Sequence, residues 1–211
     1  MALFFPCLPT DRLRRLGLAP GDAPLGLYAK EGNAFTLTAV DPIALAKGLH
    51  PGMALADAQA IVSGVIVREA EPEKDARLLD RIAAWTDRFT PFVALDHPSG
   101  IFLDITGAAH LFGGEEAMLE AAKAGPAAQG FAIAAAIAPT PGAAFAFARH
   151  GGGVVSEDDL AERLTPLPVE ALRLNEAASA LLRRLGLRRI GQVMNAPRAP
   201  FAARAGQQAM L

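Results

Sequence analysis

Short apolar runs that end at turn residues alternate with stretches of helical periodicity over the first 150 residues. A run of consecutive or alternating apolar residues bounded by Gly, Pro or Asn predicts a strand. On this basis we predict strands over residues 2–5, 25–29, 36–40, 92–95, 101–105 and 131–138. The second and third strands would pair around Gly32, and the fourth and fifth around residues 97–100, as two hairpins.

Apolar residues spaced three and four apart predict the helices, and the clearest helix covers residues 75–89. Thr10 is predicted to cap an earlier helical turn. Ser156 is predicted to start a helix beyond the glycine run at 151–153, which we interpret as a linker. Further helices are predicted over residues 42–47, 55–61, 115–124 and 142–149, with several short ones from 168 onward. This order indicates an α+β body followed by a small helical module.

The composition excludes several classes of protein. Hydrophobic residues make up 52% and charged residues 20% of the 211 residues, so the chain can bury a core. The single cysteine, Cys7, excludes an internal disulfide framework and a cysteine-based zinc site, and we interpret it as a small buried residue. The apolar stretch 130–148 is interrupted by Pro139 and Pro141, and the first 15 residues do not resemble a secretory signal. We therefore expect a cytoplasmic protein without a membrane span.

The net charge of −2 conceals an uneven distribution of charge. Residues 161–211 carry eight Arg and three Glu, a net charge of +5, whereas the first 160 residues carry −7. No acidic residue follows Glu176, but six arginines do: Arg183, Arg184, Arg188, Arg189, Arg198 and Arg204. A basic end on an acidic chain indicates binding to a polyanion, although a solvated helix face would have the same composition.

The strongest local motif lies in this basic end, at residues 182–193, which we call the arginine hairpin. Two glycines five residues apart lie between apolar-periodic stretches, as in a helix–hairpin–helix. The glycines would allow a tight turn, and the second helix would begin with free N–H groups that face a phosphate. The arginines would bind neighbouring phosphates without reading bases. An ordinary helical hairpin with a glycine cap is the alternative. The predicted DNA-binding residues are Arg184, Gly186, Leu187, Arg188, Arg189 and Gly191.

Three stretches, in this order along the chain, resemble the Y-family translesion DNA polymerases of the UmuC/DinB type. They are GLHPGMALADA at residues 48–58, FLDITGAAHLFGG at residues 102–114, and the arginine hairpin. The family has a G-V/L-x-x-G-M segment in its fingers, an L-D-V-T-G-x-x-x-L-F-G segment after a palm strand, and a helix–hairpin–helix in its thumb. The resemblance implies a ferredoxin-like palm at 1–10 and 75–152, small fingers at 11–74 and a thumb at 153–211, with the little finger absent.

The chain departs from this family at the places that would bind magnesium. Where the family has D-M-D-x-F-F, residues 4–9 read FFPCLP. The family's D-E pair precedes a trailing Asp, here Asp104, and the chain has Ser99 and Gly100 at that place. Polymerase chemistry uses two hard divalent cations, which need carboxylate ligands. The resemblance therefore implies no catalytic residue, no metal site and no cofactor.

The family's contacts with the nucleotide triphosphate are missing as well. A Tyr and an Arg of its fingers correspond here to Pro42 and Leu45, and the Lys of its palm to Pro141. Because every charged residue of the family's metal and triphosphate contacts is missing, the resemblance indicates that no nucleotidyl transfer occurs at the corresponding site. The pattern is similar to the ImuB branch of the family, whose members look like catalytically silent adaptors in damage-induced mutagenesis. The branch implies four partners: DNA, a RecA-like protein of the ImuA type, an error-prone C-family DNA polymerase and the sliding clamp.

Two other functions remain open on the residues alone. An active translesion polymerase would bind Mg²⁺ through displaced carboxylates such as Asp11, Asp96 and Asp104. A generic helix–hairpin–helix module would sit on an unrelated α+β body that lacks the β-α-β-β-α-β order of a palm.

The sequence ends about where a thumb would be complete, so it is either a fragment or a natural truncation. Residues 207–211 resemble a clamp-binding peptide, although a chance ending explains them better.

The remaining candidate side chains have structural explanations. Asp104 at a strand end suits an Asx turn with Thr106 or Gly107. His110 precedes apolar residues and is expected to pack. Glu115 and Glu116 fall in the first turn of a helix, where the helix dipole favours acidic residues. Trp85 is expected in the core.

Overall fold

The computed structural model describes residues 1–195, so the basic residues Arg198 and Arg204 and the clamp-like residues 207–211 lie outside the described part. The strands in chain order are β1 (Ala2–Phe4), β2 (Leu25–Glu31), β3 (Ala34–Val40), β4 (Ile66–Glu69), β5 (Val93–Asp96), β6 (Gly100–Leu103), β7 (Ala134–Ile137) and β8 (Gly153–Val154). The helices are α1 (Leu8–Arg15), α2 (Pro42–Ala46), α3 (Leu55–Ile61), α4 (Pro72–Thr86), α5 (Glu115–Ala128), α6 (Pro141–Arg149), α7 (Leu160–Leu164), α8 (Glu176–Arg184) and α9 (Ile190–Met194). Two 3₁₀ turns cover Ala109–Phe112 and Val169–Leu172.

One compact unit contains residues 1–4, 104–120 and, within the described chain, 134–195. In it β1 pairs antiparallel with β7, with Leu3 opposite Ala135, and β7 pairs parallel with β8. Helix α6 packs on β1 and β7. Its buried residues are mostly alanines, which allow the helix to lie close to the strands.

The second unit contains residues 5–103 and 121–133. Strand β2 is the middle strand of a three-stranded sheet, antiparallel to β3 and parallel to β4. Asp41, only 1% exposed, connects this sheet to α2, because its Oδ1 accepts the N–H groups of Leu25 at 3.0 Å and Ala44 at 2.8 Å. Strands β5 and β6 form the antiparallel hairpin expected around residues 97–100.

Helices α1 and α4 of the second unit are joined by a buried arginine. Arg12, 6% exposed, donates from Nε to Asp75 at 2.6 Å and from Nη1 to Glu71 at 3.1 Å. Both carboxylates come from the first part of α4 or from its N-cap. Loss of either carboxylate would weaken the pairing of a buried charge, so the contact constrains how α1 packs on α4.

The fold class predicted from the sequence is confirmed as a mixture of helices and strands followed by a helical end. Along the chain β1, α4, β5, β6, α5 and β7 follow the β-α-β-β-α-β order of a palm, with the segment from α1 to β4 inserted after β1. This order disagrees with a generic hairpin module on an unrelated body. The predicted boundaries of palm, fingers and thumb stay predictions. Among residues 1–195 no helix is long and apolar enough to cross a bilayer.

Most predicted elements are confirmed to within a few residues, and α3 has the predicted bounds. Helix α4 begins three residues earlier than predicted, because Pro72 provides a favourable first helical residue. Helix α5 continues beyond residue 124 through Pro126. Strand β4 was not predicted. Its four residues depend on parallel pairing with β2, a non-local contact that leaves no periodic signal in so short a segment.

Two predicted helix starts are wrong. Thr10 lies inside α1, where its hydroxyl donates to the Cys7 carbonyl at 3.0 Å, and Cys7 is the N-cap. The helix predicted to start at Ser156 begins at Leu160. The Ser156 hydroxyl instead accepts the N–H of Asp159 at 3.2 Å, which closes a turn before the helix.

The glycine run at 151–153 is a turn into a strand, and its interpretation as a linker is wrong. The three glycines have positive φ values of 138°, 68° and 87°, which residues with a Cβ rarely adopt. They reverse the chain after α6, so that β8 pairs beside β7. A Cβ at Gly152 would lie 3.1 Å from the Ala135 carbonyl oxygen, so this turn also passes close to the strand.

Candidate nucleic-acid interface and metal site

The places that correspond to the family's magnesium ligands are occupied by residues without carboxylates. Phe4, at the place of the family's first Asp, is partly buried, and the Arg149 guanidinium lies 4.1 Å from its ring centroid. Its neighbour Phe5 is fully buried, and the Phe5 N–H donates to the Ser99 carbonyl at 2.8 Å. Ser99 lies in the turn between β5 and β6, and Gly100 is the first residue of β6. None of the places 4, 99 and 100 therefore carries a carboxylate.

Gly100 leaves no room for a side chain. It lies opposite Asp96 in the β5–β6 hairpin. A Cβ at position 100 would be 2.7 Å from Asp96 Oδ2, 2.9 Å from its Cβ and 3.0 Å from its carbonyl oxygen. These distances are shorter than van der Waals contact, and Asp96 is itself buried at 9% exposure. A side chain at position 100 would therefore require Asp96 and the adjacent backbone to move.

Of the three carboxylates considered as displaced metal ligands, two accept backbone hydrogen bonds and the third packs closely against a glycine. Asp104 Oδ1 accepts the N–H of Thr106 at 3.0 Å, which confirms the predicted Asx turn, and the contact lowers the pKa of Asp104. Asp11 Oδ2 accepts the N–H of Ala132 at 2.8 Å. Burial nevertheless raises the pKa of Asp11, and the hydrogen bond and nearby arginines only partly oppose this. Asp96 lies beneath Gly100, as described above.

Within residues 1–195 no group of three or more His, Cys, Asp or Glu side chains could hold a metal ion. The magnesium ions that the family implies therefore do not fit the residues present. The prediction that the protein uses no cofactor stays a prediction.

The places that correspond to the triphosphate contacts carry no cation. Pro42 and Pro141 are the first residues of α2 and α6. A proline has no N–H, so each of these helix starts has one donor fewer for an anion. Leu45 is exposed on α2. At α6, the Thr140 hydroxyl accepts the N–H of Ala143 at 3.2 Å, which uses another donor.

The other candidates occupy mostly the expected positions. Glu115 and Glu116 begin α5, as predicted. The Trp85 ring is partly buried and meets Phe89 edge-on, with centroids 5.5 Å apart. His110 was expected to pack, but it is exposed in a 3₁₀ turn. Cys7 is half-buried, and burial raises the pKa of its thiol.

The arginine hairpin consists of the end of α8, a turn and α9. Leu182 and Ile190 are almost fully buried, and α8 and α9 both contact the 3₁₀ turn Val169–Leu172. The two glycines have different roles. Gly186 has a φ of 79° and open space around it, so the turn needs its backbone conformation. At Gly191 a Cβ would lie 2.6 Å from the Thr165 methyl group and 3.0 Å from its carbonyl oxygen, so this glycine allows close approach of two chain segments.

The predicted free N–H groups at the start of α9 are not free, so this part of the prediction is wrong. Gln192 Oε1 accepts the N–H groups of Arg188 at 2.8 Å and Arg189 at 2.9 Å. Ile190 donates to the Leu167 carbonyl at 2.8 Å, and Gly191 donates to the Thr165 carbonyl at 3.0 Å. The segment 165–167 runs beside the hairpin and takes up donors that were expected to face a phosphate.

Gln192 was missed in the sequence. A Gln three residues after an N-cap is a known signal of side-chain capping, so its spacing from Arg189 could have identified it.

The arginines of the hairpin are not equivalent. Arg183 binds Glu170 at 3.2 Å and Glu176 at 2.5 Å, and the hydrogen bond with Glu176 raises the pKa of Arg183. Arg189 donates from Nη1 to the Pro166 carbonyl at 3.1 Å. Arg184 and Arg188 are exposed, and their side chains form no ion pair or hydrogen bond with any residue between 1 and 195. They are therefore available to an anionic ligand.

The chain has a fold that is shared with DNA polymerases. It lacks carboxylates at residues 4, 99 and 100, and it carries the arginine hairpin. The chain belongs to the impB/mucB/samB family, whose model matches residues 11–148. Two curated relatives, both called Protein ImuB, come from Caulobacter vibrioides strains NA1000 / CB15N and ATCC 19089 / CIP 103742 / CB 15. Each is 45% identical over 166 residues, which cover 78% of this chain and 36% of the relative.

Solved structures with the same fold are Y-family polymerases. The insertion ternary complex of Dbh DNA polymerase superposes with a TM-score of 0.82 at 14% identity, covering 99% of this chain and 63% of that chain. The DinB protein from Sulfolobus solfataricus gives a TM-score of 0.78 at 16% identity, covering 99% of this chain and 64% of that chain. The chain thus spans about a third of the length of its curated relatives and under two thirds of these polymerases.

Proposed function

We propose that this chain is a non-catalytic, DNA-contacting part of a polymerase-like protein of DNA damage tolerance, acting as an adaptor in translesion synthesis. The observation that carries the non-catalytic role is the glycine at position 100, where the resemblance requires a carboxylate. A side chain there would force Asp96 to move. The absence of a metal-capable group among residues 1–195 agrees with it. The relatives called Protein ImuB support the assignment to damage tolerance.

The DNA contact is proposed at the arginine hairpin, with Arg184 and Arg188 as the principal cations. Their side chains are exposed and have no acidic partner in the described chain. Phosphate contacts of this kind carry no sequence information, so binding is sequence-independent. Structures of Dbh described as ternary and post-insertion binary complexes share the fold, which supports a nucleic-acid partner. Gly186, Leu187, Arg189 and Gly191 support this surface by shaping the turn.

The partners implied by the ImuB branch are part of the same proposal. They are a RecA-like protein of the ImuA type, an error-prone C-family DNA polymerase and the sliding clamp, in the cytoplasm. An adaptor of this kind would hold DNA while the separate polymerase carries out synthesis.

A primer-extension experiment tests the non-catalytic role. The dissociation constant for a primer–template duplex is first measured by fluorescence anisotropy, and extension is then assayed above that concentration with Mg²⁺ and with Mn²⁺. We expect binding without incorporation. Template-directed incorporation would overturn the non-catalytic role. If Asp11→Asn, Asp96→Asn or Asp104→Asn then abolished it, the active-polymerase alternative would be established. No binding at millimolar protein would overturn the proposed DNA contact.

A further inference from the structure

A groove in the second unit has no role in the proposed function. It has a volume of about 750 Å³ and is bounded by α1, α4 and the turn that follows α5. Its key lining residues are Arg15, Lys74, Arg77, Arg81, Trp85 and Phe131. We call it the α4 groove.

One long face of α4 forms a wall of the groove. Lys74, Arg77, Arg81 and Trp85 follow one another at spacings of three and four residues, so they lie on the same side of the helix. Eleven residues separate the first from the last, which corresponds to about 16 Å along the helix axis. The groove is therefore about three helical turns long.

The rim of the groove is positively charged. Arg81 is exposed and forms no ion pair or hydrogen bond with another residue between 1 and 195. Arg77 has only a long contact of 3.6 Å to Glu73, and both side chains are largely exposed. Arg15 donates to the Gln129 carbonyl at 2.7 Å and to the Gln129 side-chain oxygen at 3.2 Å. Asp80 is the acidic residue on the lining.

The floor of the groove is apolar and partly aromatic. Leu78 and Ile82 are buried on α4. The Trp85 ring lies against Gly125 of α5, where any Cβ would overlap the indole. Phe131 is stacked under the Arg15 guanidinium, 4.2 Å from the ring centroid. Arg12 also lines the groove, and its Nη2 is buried without a hydrogen-bond partner.

We propose that the α4 groove binds an acidic amphipathic helix of a partner protein. An apolar floor with a polar rim is the usual arrangement of a helix-binding groove, and three turns match two or three anchor residues spaced at i, i+3 or i+4 and i+7. Acidic side chains on the flanks of such a helix would meet Arg77 and Arg81. A nucleic-acid duplex presents phosphates but no apolar stripe, so it would leave the floor uncovered.

The single tryptophan makes the groove directly observable, because Trp85 is the only source of indole fluorescence in the chain. The probes are 15-residue peptides without aromatic residues, with Leu at i, i+3 or i+4 and i+7 and Glu at the other positions. The same peptides with Lys in place of Glu, and a 15-nucleotide single-stranded DNA, serve as comparisons. We expect the Glu peptides to change the Trp85 emission in a saturable and salt-dependent manner, and the Lys peptides to bind at least tenfold more weakly.

Charge reversal assigns the site. Arg77→Glu with Arg81→Glu should weaken binding of the Glu peptides at least tenfold. Lys30→Glu with Lys47→Glu, which changes two exposed lysines outside the groove lining, should leave it within twofold. The proposal is overturned by equal binding of Glu and Lys peptides, by saturable quenching with the DNA alone, by an unaffected Arg77/Arg81 variant, or by no change with any peptide up to 1 mM.

Discussion

Asp96 Oδ2 occupies the space that a side chain at Gly100 would need, at 2.7 Å from the position of a Cβ there. The two residues face each other across the narrow end of the β5–β6 hairpin. At this register a side chain at position 100 would force Asp96 to shift, and glycine avoids that conflict. The missing carboxylate at position 100 is thus tied to the packing of its neighbour.

This packing predicts the stability of variants at Gly100. Gly100→Ala should lower the free energy of unfolding by about 1–3 kcal/mol, because the added methyl group forces Asp96 and its backbone to move. Gly142→Ala is the matched control, since Gly142 lies in α6 with no atom near a new Cβ. It should be neutral or stabilising by up to about 1 kcal/mol. Urea unfolding of the two variants measures this difference. Equal stability of both would contradict a steric conflict between a side chain at position 100 and Asp96.

The raised pKa of Asp11 predicts that the difference in stability between the wild type and Asp11→Asn depends on pH. Because burial raises the pKa of Asp11 in the folded state, the folded protein binds this proton more tightly than the unfolded chain does. The ionised carboxylate therefore destabilises the fold above the folded pKa, and this penalty disappears as the pH falls below the unfolded value. Asp11→Asn removes the charge and keeps an acceptor for the Ala132 N–H. It should be at least as stable as the wild type at pH 7 and should lose that advantage near pH 4.

Asp11→Ala separates the charge from the hydrogen bond. It leaves the Ala132 N–H without its acceptor and should be less stable than Asp11→Asn at both pH values, by about 1–3 kcal/mol. Urea titrations at pH 7 and pH 4 measure both differences. A stability difference between wild type and Asp11→Asn that stays constant with pH would show that the pKa is not raised.

The arginine hairpin predicts a change in the salt dependence of DNA binding. We expect a dissociation constant in the non-specific range, about 10⁻⁴–10⁻⁶ M at physiological salt. Arg184→Ala with Arg188→Ala should reduce the slope of log affinity against log salt by about two units, one for each phosphate contact.

Arg183→Ala is the control for this measurement. It removes one positive charge from α8, the helix that also carries Arg184, but its guanidinium is already bound to Glu170 and Glu176. The slope should therefore change by much less than one unit. Equal slopes for the Arg184/Arg188 variant and the wild type in anisotropy titrations at several salt concentrations would show that DNA binds elsewhere.

How far the sequence predicts the structure depends on whether a feature is local. The hairpin β2–β3 follows from alternating residues around Gly32, and α3 follows from the periodicity of its own seven residues. Strand β4 exists because β2 lies beside it, which no local pattern encodes. The glycine run at 151–153 looks like a linker until the pairing of β8 with β7 is known.

The candidate site follows the same division. The absence of carboxylates at Ser99 and Gly100 can be predicted by counting residues, and so can the cluster of arginines. The filling of the space at Gly100 by Asp96 cannot, because it depends on the register of the hairpin. The N–H groups of α9 are taken by Thr165 and Leu167, which are distant in sequence, and only Gln192 leaves a local signal.

The opposition of Gly100 and Asp96 also couples the two positions in any redesign of the hairpin. An acidic side chain at position 100 would require Asp96 and its backbone to move. A smaller residue at position 96 would remove that conflict. The hairpin is therefore expected to tolerate an acidic residue at position 100 better in a double variant than alone.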